Sequence, residues 1–190
     1  LPHHKAPVCP GQVNGGLGSN FATASAEERR RIYHFFLARG TTTLVPTVTT
    51  ASSEALIHGL NALAEDVGHT RDDLPSIPGI HLEGPFLNKE RRGAHPAEHV
   101  AQPDLDLARR FWEAAGGKIA ITTLAPELEG ATDLIRWFSE SGAIVSAGHT
   151  QATCTALLNA WDMGLSLLTH MGNVSDWPHR RRNEAGIFVS

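Results

Sequence analysis

The sequence predicts an α/β protein built on a parallel sheet, and three observations support this prediction. Short apolar runs rich in β-branched residues alternate with amphipathic helical segments, which is typical of parallel strands covered by helices. Acidic and imidazole side chains directly follow three of these runs, at Glu83, His149 and His170. A barrel brings the carboxyl ends of its strands to one face. We therefore predict a (β/α)8 TIM-type barrel rather than an open doubly wound sheet.

The first helical segment carries the clearest local signals. Ser25 and Glu28 have the spacing of a capping box. Apolar residues then recur at helical spacing, at Ile32, Phe35 and Phe36. Gly40 ends this helix. The β-branched and aliphatic run over 43–48 predicts a short buried strand, and its central Pro46 marks where the strand begins to turn.

The same alternation continues to residue 169. Further strands are predicted over 79–82, 118–124, 143–147 and 165–169, and further helices over 54–65, 105–115, 132–139 and 153–161. Cys154 and Trp161 belong to the last helix, and we expect both to pack in the core. A complete barrel needs about 250 residues. Counting a first strand around 12–15, six strand–helix units in 190 residues therefore predict a barrel that stops early.

Composition and charge exclude several classes of protein. With 41% hydrophobic and 19% charged residues, the chain is neither a disordered tail nor a coiled coil, and its apolar runs are too short to cross a bilayer. A formal net charge of -4 gives no reason to expect nucleic acid. Two cysteines and the lack of a signal-peptide pattern favour the cytoplasm. We expect a small-molecule partner.

Glu83, His149 and His170 have the chemistry of a metal site. One carboxylate and two neutral imidazoles hold a divalent ion such as Zn²⁺ and leave a position open for water, which is the arrangement of a catalytic site. The alternative for each side chain is a hydrogen bond to a neighbouring loop, because buried polar groups normally find such partners. Their occurrence at three strand ends favours the metal site.

Five short motifs carry a more specific signal. They are HLEGPFL at 81–87, RGAH at 92–95, LAPE at 124–127, AGHT at 147–150 and THMGN at 169–173. In this order and spacing, the chain from Pro10 onward resembles the N-acetylglucosamine-6-phosphate deacetylases of the amidohydrolase superfamily. The resemblance implies metal-dependent hydrolysis of N-acetylglucosamine 6-phosphate to glucosamine 6-phosphate and acetate, in a homodimer. It implies Glu83, His149 and His170 as ligands of Zn²⁺, with Fe²⁺ or another divalent ion as alternatives.

The segment Gln12-Val13-Asn14-Gly15 resembles the first-strand motif of that family. The resemblance places Gln12 and Asn14 where many other amidohydrolases carry two histidines for a second ion, and so implies a single ion. The alternative is a turn, because Asn-Gly is a common turn dipeptide. The residues alone leave both interpretations open.

His95 lies in a long connection, over 84–103, between a predicted strand and the next helix. A connection of this length is typical of a functional loop. The resemblance implies that His95 reaches the substrate, where it polarises the acetamide carbonyl or donates a hydrogen bond to the sugar. A surface histidine without a role is the alternative.

The last part of the chain carries candidates for binding the phosphosugar. Asn173 matches a family residue near the substrate, and the run WPHRRR at 177–182 is dense in positive charge. Arginine offers a planar charged fork that matches phosphate oxygens. The resemblance implies Arg181 as the phosphate contact, when positions are counted from Thr169 to the arginine of the family. Counting back from the following glycine selects Asn183 instead, and a solvated basic loop is a third interpretation.

The resemblance also indicates what this chain lacks. The general acid-base aspartate of the family follows an eighth strand, and no equivalent precedes Ser190. Residues 1–10 are expected to be a remnant of a small β domain, and residues 11–190 the first six strand–helix units of the barrel. Two other hypotheses stay open: an amidohydrolase that acts on a different amide, and a truncated domain that binds metal or phosphosugar without turnover.

Overall fold

The computed structural model describes residues 9–68 and 73–171, together with the backbone of residues 181–182 and 188–189. The chain divides into two compact units. The first comprises Leu1–Glu83 and Asp106–Ile121, and the second comprises Gly84–Leu105 and Thr122–Ser190. The part of the chain that is described contains no helix long and apolar enough to span a membrane.

Helices and parallel strands alternate along the described chain. The helices are α1 (Ala26–Leu37), α2 (Ser53–Ala64), α3 (Leu105–Ala114), α4 (Ala131–Glu140) and α5 (Cys154–Asp162), with a 3-10 turn at Lys89–Arg91. The strands are β1 (Gly15–Gly16), β2 (Ser19–Asn20), β3 (Thr47–Thr49), β4 (Ile80–Glu83), β5 (Ile119–Leu124), β6 (Ile144–Ala147), β7 (Leu165–Leu168), β8 (Arg181–Arg182) and β9 (Phe188–Val189). The main sheet has the order β3-β4-β5-β6-β7. The prediction of an α/β fold with a parallel sheet is confirmed.

In the first unit, β3 and β4 are parallel neighbours. Their register pairs Thr47 with His81 and Thr49 with Glu83. Every residue of β4 is buried, which is typical of a parallel strand with both faces covered. The carboxyl end of β4 therefore places the Glu83 side chain in a buried environment.

The strand predicted over 43–48 is shorter in the structure. Only Thr47–Thr49 form β3, and Pro46 makes an isolated parallel bridge to Val13. Proline has no N–H and cannot donate to a strand ladder. Regular pairing therefore begins after Pro46, where the Thr47 amide donates to the Val13 carbonyl at 2.9 Å.

Helix α1 begins with the capping box that the sequence predicts. The Ser25 side chain accepts a hydrogen bond from the Glu28 amide, and the Glu28 carboxylate accepts one from the Ser25 amide at 2.8 Å. The hydroxyls of Ser25 and Ser19 also donate to this carboxylate. The backbone hydrogen bond from Ser25, followed by those of the two hydroxyls, lowers the pKa of Glu28. The charged form of Glu28 is therefore the form that caps the helix.

Arg29 on α1 is a buried cation with several partners in the first unit. Its guanidinium donates to the Asp66 carboxylate at 2.6 and 3.2 Å, and to the carbonyls of Ala24 and Ala62 at 3.1 and 3.0 Å. The Tyr33 hydroxyl donates to Asp66 at 2.8 Å. Burial, followed by the charge of Asp66, raises the pKa of Tyr33, so this hydroxyl stays a donor. The network ties α1 to the end of α2.

In the second unit, β6 and β7 are parallel neighbours. Three buried hydroxyls connect the strand ends: Thr169 Oγ1 lies 2.8 Å from Thr123 Oγ1 and 2.7 Å from Ser146 Oγ. Gly148 passes close to the same side chains, because a Cβ at this position would lie 2.7 Å from Thr123 Cγ2. The close packing requires glycine there, and it fixes the backbone immediately before His149.

One face of the second unit is apolar and exposed. Residues of α5 and β7 line a cavity of about 720 Å³, beside which Leu158 is 67% exposed and Trp161 is 62% exposed. The prediction that Cys154 and Trp161 lie in the core is wrong, because both are exposed. Their positions on the helix are apolar as predicted, but the described residues leave this face uncovered.

Replacing Asp66 with alanine is expected to lower the free energy of unfolding by about 3–5 kcal/mol, because the buried Arg29 charge loses its counterion. The side chain of Arg29 is 4% exposed. The measurement is urea denaturation followed by circular dichroism, with midpoints compared at equal slope.

Asp106→Ala is the matched control for this substitution. Asp106 pairs with Arg109, and these side chains are 90% and 51% exposed, so the change in stability is expected to stay below about 1 kcal/mol. Equal losses in the two variants would contradict the role given to the buried pair.

Candidate metal centre

Glu83 provides a buried carboxylate at the end of β4. Its exposed fraction is 1%. The side-chain amide of Gln12 donates to Glu83 Oε2 at 2.7 Å, and the Thr50 hydroxyl contacts the Glu83 carbonyl at 3.4 Å. A buried charge is costly unless it is hydrogen-bonded or bound to a cation. Glu83 is thus buried and oriented as a metal ligand requires.

His149 is oriented by a hydrogen bond to the backbone. The residue is 4% exposed, and its Nδ1 lies 2.9 Å from the carbonyl oxygen of Arg91. Because a carbonyl can only accept, we assign the ring hydrogen to Nδ1. The neutral ring then carries its lone pair on Nε2, the nitrogen that this tautomer offers to a metal ion.

Two further imidazoles contact His149 within the second unit. The ring centroid of His95 lies 4.4 Å from that of His149, and the ring centroid of His170 lies 5.3 Å from it, both edge to face. His95 is buried, with 6% of its surface exposed, and His170 is half-buried. The second unit therefore concentrates imidazole nitrogens, which are ligands suited to Zn²⁺ and to Fe²⁺.

Glu83, His95 and His149 have the spacing that an ion needs. One ligand atom from each lies within 4.8 Å of the others. The sequence predicts Glu83, His149 and His170 as ligands and His95 as a substrate contact. The structure places both His95 and His170 against His149. The choice between them as the third ligand stays a prediction.

Gln12 and Asn14 lie on an extended segment of the first unit. Between them, Val13 makes its parallel bridge to Pro46, so this part of the segment runs alongside the sheet. Gln12 reaches Glu83, as described above, whereas Asn14 is exposed. The Asn14 carbonyl accepts a hydrogen bond from the Phe21 amide at 3.0 Å. A functional role for the Asn14 side chain stays a prediction.

The predicted phosphosugar contacts fall in the last part of the chain. Asn173 and Asn183 lie outside the described residues. The backbone of Arg181 belongs to β8 and pairs with Val189 of β9, while its side chain lies outside what the structure describes. The roles of these three residues stay predictions.

Sequence reasoning assigned no role to two residues that hold His149 or the residues directly after it. The Arg91 carbonyl orients His149, and a backbone oxygen carries no signature in the amino-acid sequence. Glu127 accepts hydrogen bonds from the residues that directly follow His149. Its position in the LAPE motif was the available signal, but the motif does not reveal the partners of the carboxylate.

Comparison with known proteins identifies the family. Models of protein families give no match. The chain is 32% identical over 196 residues to the N-acetylglucosamine-6-phosphate deacetylase of Caenorhabditis elegans, and 33% identical over 183 residues to that of Bacillus subtilis strain 168. Each match covers 94% of this chain. The chain belongs to the N-acetylglucosamine-6-phosphate deacetylase family. It spans 45% and 46% of the length of these two relatives.

Solved structures of deacetylases from this family agree with that assignment. The crystal structure of N-acetyl-D-glucosamine-6-phosphate deacetylase from Mycobacterium smegmatis is 36% identical, with a TM-score of 0.84 over 93% of this chain and 45% of that chain. A mutant of that enzyme in complex with N-acetyl-D-glucosamine-6-phosphate gives a TM-score of 0.81 at 36% identity, over 90% of this chain and 43% of that chain. The resemblance predicted from the motifs is confirmed.

Glu83→Gln is expected to abolish stoichiometric binding of Zn²⁺, because it replaces an anionic ligand with a neutral amide of the same shape. Metal content is measured by mass spectrometry after dialysis of purified protein against buffer containing Zn²⁺ and then against metal-free buffer.

His34→Gln is the matched control for the loss of metal. His34 is an imidazole on α1 whose side chain is 45% exposed, and it lies outside the group described above. This variant should keep its metal content. Zn²⁺ retained by Glu83→Gln at the level of the unmodified protein would remove Glu83 from the ligand set.

Proposed function

We propose that the whole protein hydrolyses N-acetylglucosamine 6-phosphate to glucosamine 6-phosphate and acetate at a single divalent metal ion. The observation that carries this proposal is the grouping of one buried carboxylate and two buried imidazoles, Glu83, His95 and His149, in a chain of the deacetylase family. Zn²⁺ is the proposed ion, and Fe²⁺ is the alternative that the same ligands accept.

The residues of this chain hold and orient the components of the reaction. Glu83 and His149 bind the ion, together with His170 in the predicted ligand set. A divalent ion bound there would lower the pKa of water and stabilise negative charge on oxygen. The Arg91 carbonyl keeps the Nδ1 hydrogen of His149 in place, so that Nε2 would be the nitrogen that binds the ion.

His95 is proposed to bind the acetamide of the substrate. Its ring is buried against that of His149, which would hold the ion, so His95 is placed to contact a substrate bound there. The backbone around it is also constrained, because Arg92 Nη1 donates to the His95 carbonyl at 2.9 Å. A hydrogen bond from His95 to the amide oxygen would favour attack on the carbonyl carbon. The leaving amine needs a proton from a general acid.

Asn173 and Arg181 are proposed to bind the sugar and its 6-phosphate. The structure of a mutant of the M. smegmatis relative is in complex with N-acetyl-D-glucosamine-6-phosphate, which carries a dianionic group suited to a guanidinium fork.

We also propose a homodimer that acts in the cytoplasm. A charged phosphosugar does not cross a bilayer unaided, so substrate and enzyme must share a compartment.

We propose that the five-stranded sheet is part of a (β/α)8 barrel in the whole protein. The exposed apolar face of α5 and β7 supports this, because among the described residues β7 lies at the edge of the sheet and its Leu167 and Leu168 are 41% and 40% exposed. An exposed apolar edge is a site for further pairing. In a barrel, the next strand and its helix would cover this face.

The substrate test compares N-acetylglucosamine 6-phosphate with unphosphorylated N-acetylglucosamine. We expect kcat/KM of the whole protein to be at least about tenfold higher for the phosphorylated sugar, because hydrogen bonds to a charged group contribute about 1.5–3 kcal/mol. Acetate release is measured with a coupled assay. Equal values for the two sugars would contradict the assignment of a phosphosugar substrate.

Three variants determine which residue binds the phosphate. Arg181→Gln is expected to reduce the preference for the phosphorylated sugar by raising KM, whereas Arg182→Gln and Asn183→Ala are expected to leave it unchanged. If Asn183→Ala alone reduces the preference, the alternative register is correct. An unchanged preference in all three variants would exclude this run as the phosphate site.

A further inference from the structure

Glu127 receives hydrogen bonds from three donors that come from two other loops of the second unit. Asn88 Nδ2 donates to Glu127 Oε1 at 2.8 Å, and the Gln151 amide donates to the same oxygen at 2.7 Å. The Thr150 hydroxyl donates to Glu127 Oε2. An ionised carboxylate only accepts hydrogen bonds, so it matches this set of donors.

Glu127 and its partners lie on the loops that follow three successive strands. Asn88 belongs to the loop after β4, Glu127 to the loop after β5, and Thr150 and Gln151 to the loop after β6. The side chain of Glu127 is half-buried. One carboxylate therefore ties together the carboxyl-end loops of β4, β5 and β6.

His149 stands directly before the residues that Glu127 holds. Its backbone has φ 51, a left-handed conformation that is rare for a residue with a β-carbon and persists only where surrounding contacts enforce it. Hydrogen bonds from Thr150 and Gln151 to Glu127 constrain the backbone on its carboxyl side. At the bend itself, the backbone amide of Asn88 donates to the His149 carbonyl at 3.0 Å.

The contacts of the His149 ring and those of its backbone depend on the same pair of loops. The ring donates from Nδ1 to the Arg91 carbonyl, and Arg91 ends the 3-10 turn for which Asn88 is the N-cap. Asn88 is in turn held by Glu127. A shift of the β6 loop relative to the β4 loop would therefore move the imidazole away from the group with Glu83 and His95.

We infer that Glu127 is a positioning residue, whose carboxylate holds the bend at His149 so that Nε2 is directed at the metal ion. This inference rests on the proposed function, in which His149 is a metal ligand. Glu127 itself does not touch the ion or the substrate. It acts through Thr150, Gln151 and Asn88, which fix the ligand before the ion arrives.

The test measures the dissociation constant for Zn²⁺ of the purified protein, by competition with a chromophoric chelator. Glu127→Ala is expected to weaken Zn²⁺ binding by about 10- to 100-fold, as loss of a partner behind a metal ligand commonly does. Glu127→Gln should retain most of the affinity. The amide oxygen of the new side chain can accept from Asn88 and Gln151, while its NH₂ group donates to the Thr150 hydroxyl oxygen. Rescue by this variant identifies hydrogen bonding rather than charge as the cause.

A second substitution tests whether Glu127 acts through Thr150. Thr150→Val removes the hydroxyl donor with little change of shape. The Glu127→Ala/Thr150→Val double variant should lose less affinity than the two single losses combined, because residues in one network are not additive. Additive losses would mean that Glu127 and Thr150 affect Zn²⁺ binding independently. That result would overturn the proposal that Glu127 acts through Thr150.

Glu129→Ala is the matched control, since Glu129 lies in the same loop and is exposed. Its Zn²⁺ affinity should equal that of the unmodified protein. Unchanged affinity in Glu127→Ala, with binding abolished in Glu83→Gln, would overturn the positioning role and leave the proposed function intact. Unchanged affinity in both variants would instead remove the metal centre itself.

The fold of each variant is monitored by the midpoint of thermal unfolding of the metal-free protein. If Glu127→Ala does not fold, Glu127→Gln and Thr150→Val carry the test. Thr150→Val must then weaken Zn²⁺ binding without an equivalent change in the metal-free midpoint. A loss of stability with unchanged Zn²⁺ affinity would show that the network serves the fold alone.

Discussion

A carboxylate as deeply buried as that of Glu83 must be balanced by hydrogen-bond donors or by a cation, and much of the structure around it serves that requirement. The side-chain amide of Gln12 donates to one of its oxygens. A ring nitrogen of His95 and one of His149 each lie within 4.8 Å of a Glu83 carboxylate oxygen. The same physical rule governs Arg29 in the first unit, where the counterion is the Asp66 carboxylate. For Arg29, a protein side chain supplies the opposite charge. Around Glu83, the arrangement of side chains suits a bound cation.

The second constraint is the backbone at the ends of the strands. His149 and His170 both have left-handed backbone conformations, with φ 51 and φ 55. The chain therefore changes direction sharply just after β6 and just after β7. Such bends turn a side chain toward the strand ends but are unfavourable for residues with a β-carbon. Contacts from neighbouring loops must therefore stabilise them, and the carboxylate of Glu127 stabilises the bend at His149. A side chain such as that of Glu127, which is not one of the proposed metal ligands, thus helps to determine where the ligand atom of His149 lies.

The helices and strands were largely predictable because their signals are local. The capping box at Ser25 and the apolar spacing that follows depend on residues within one or two turns, and α1 begins where they indicate. The strand over 43–48 was predicted too long, because Pro46 has no N–H to donate and regular pairing with β4 begins at Thr47. Trp161 was wrongly assigned to the core, because periodicity identifies an apolar face without showing what covers it.

The amino-acid sequence was sufficient for an α/β fold with a parallel sheet and for the family, because spacing and short motifs lie within contiguous segments of chain. Folding was needed to show that Gln12 contacts Glu83 across 71 positions, that His95 packs on His149, and that Glu127 joins three loops. These contacts arise when parallel strands bring distant loops to one edge of the sheet. No local pattern encodes such distances, since they follow from how the whole chain packs.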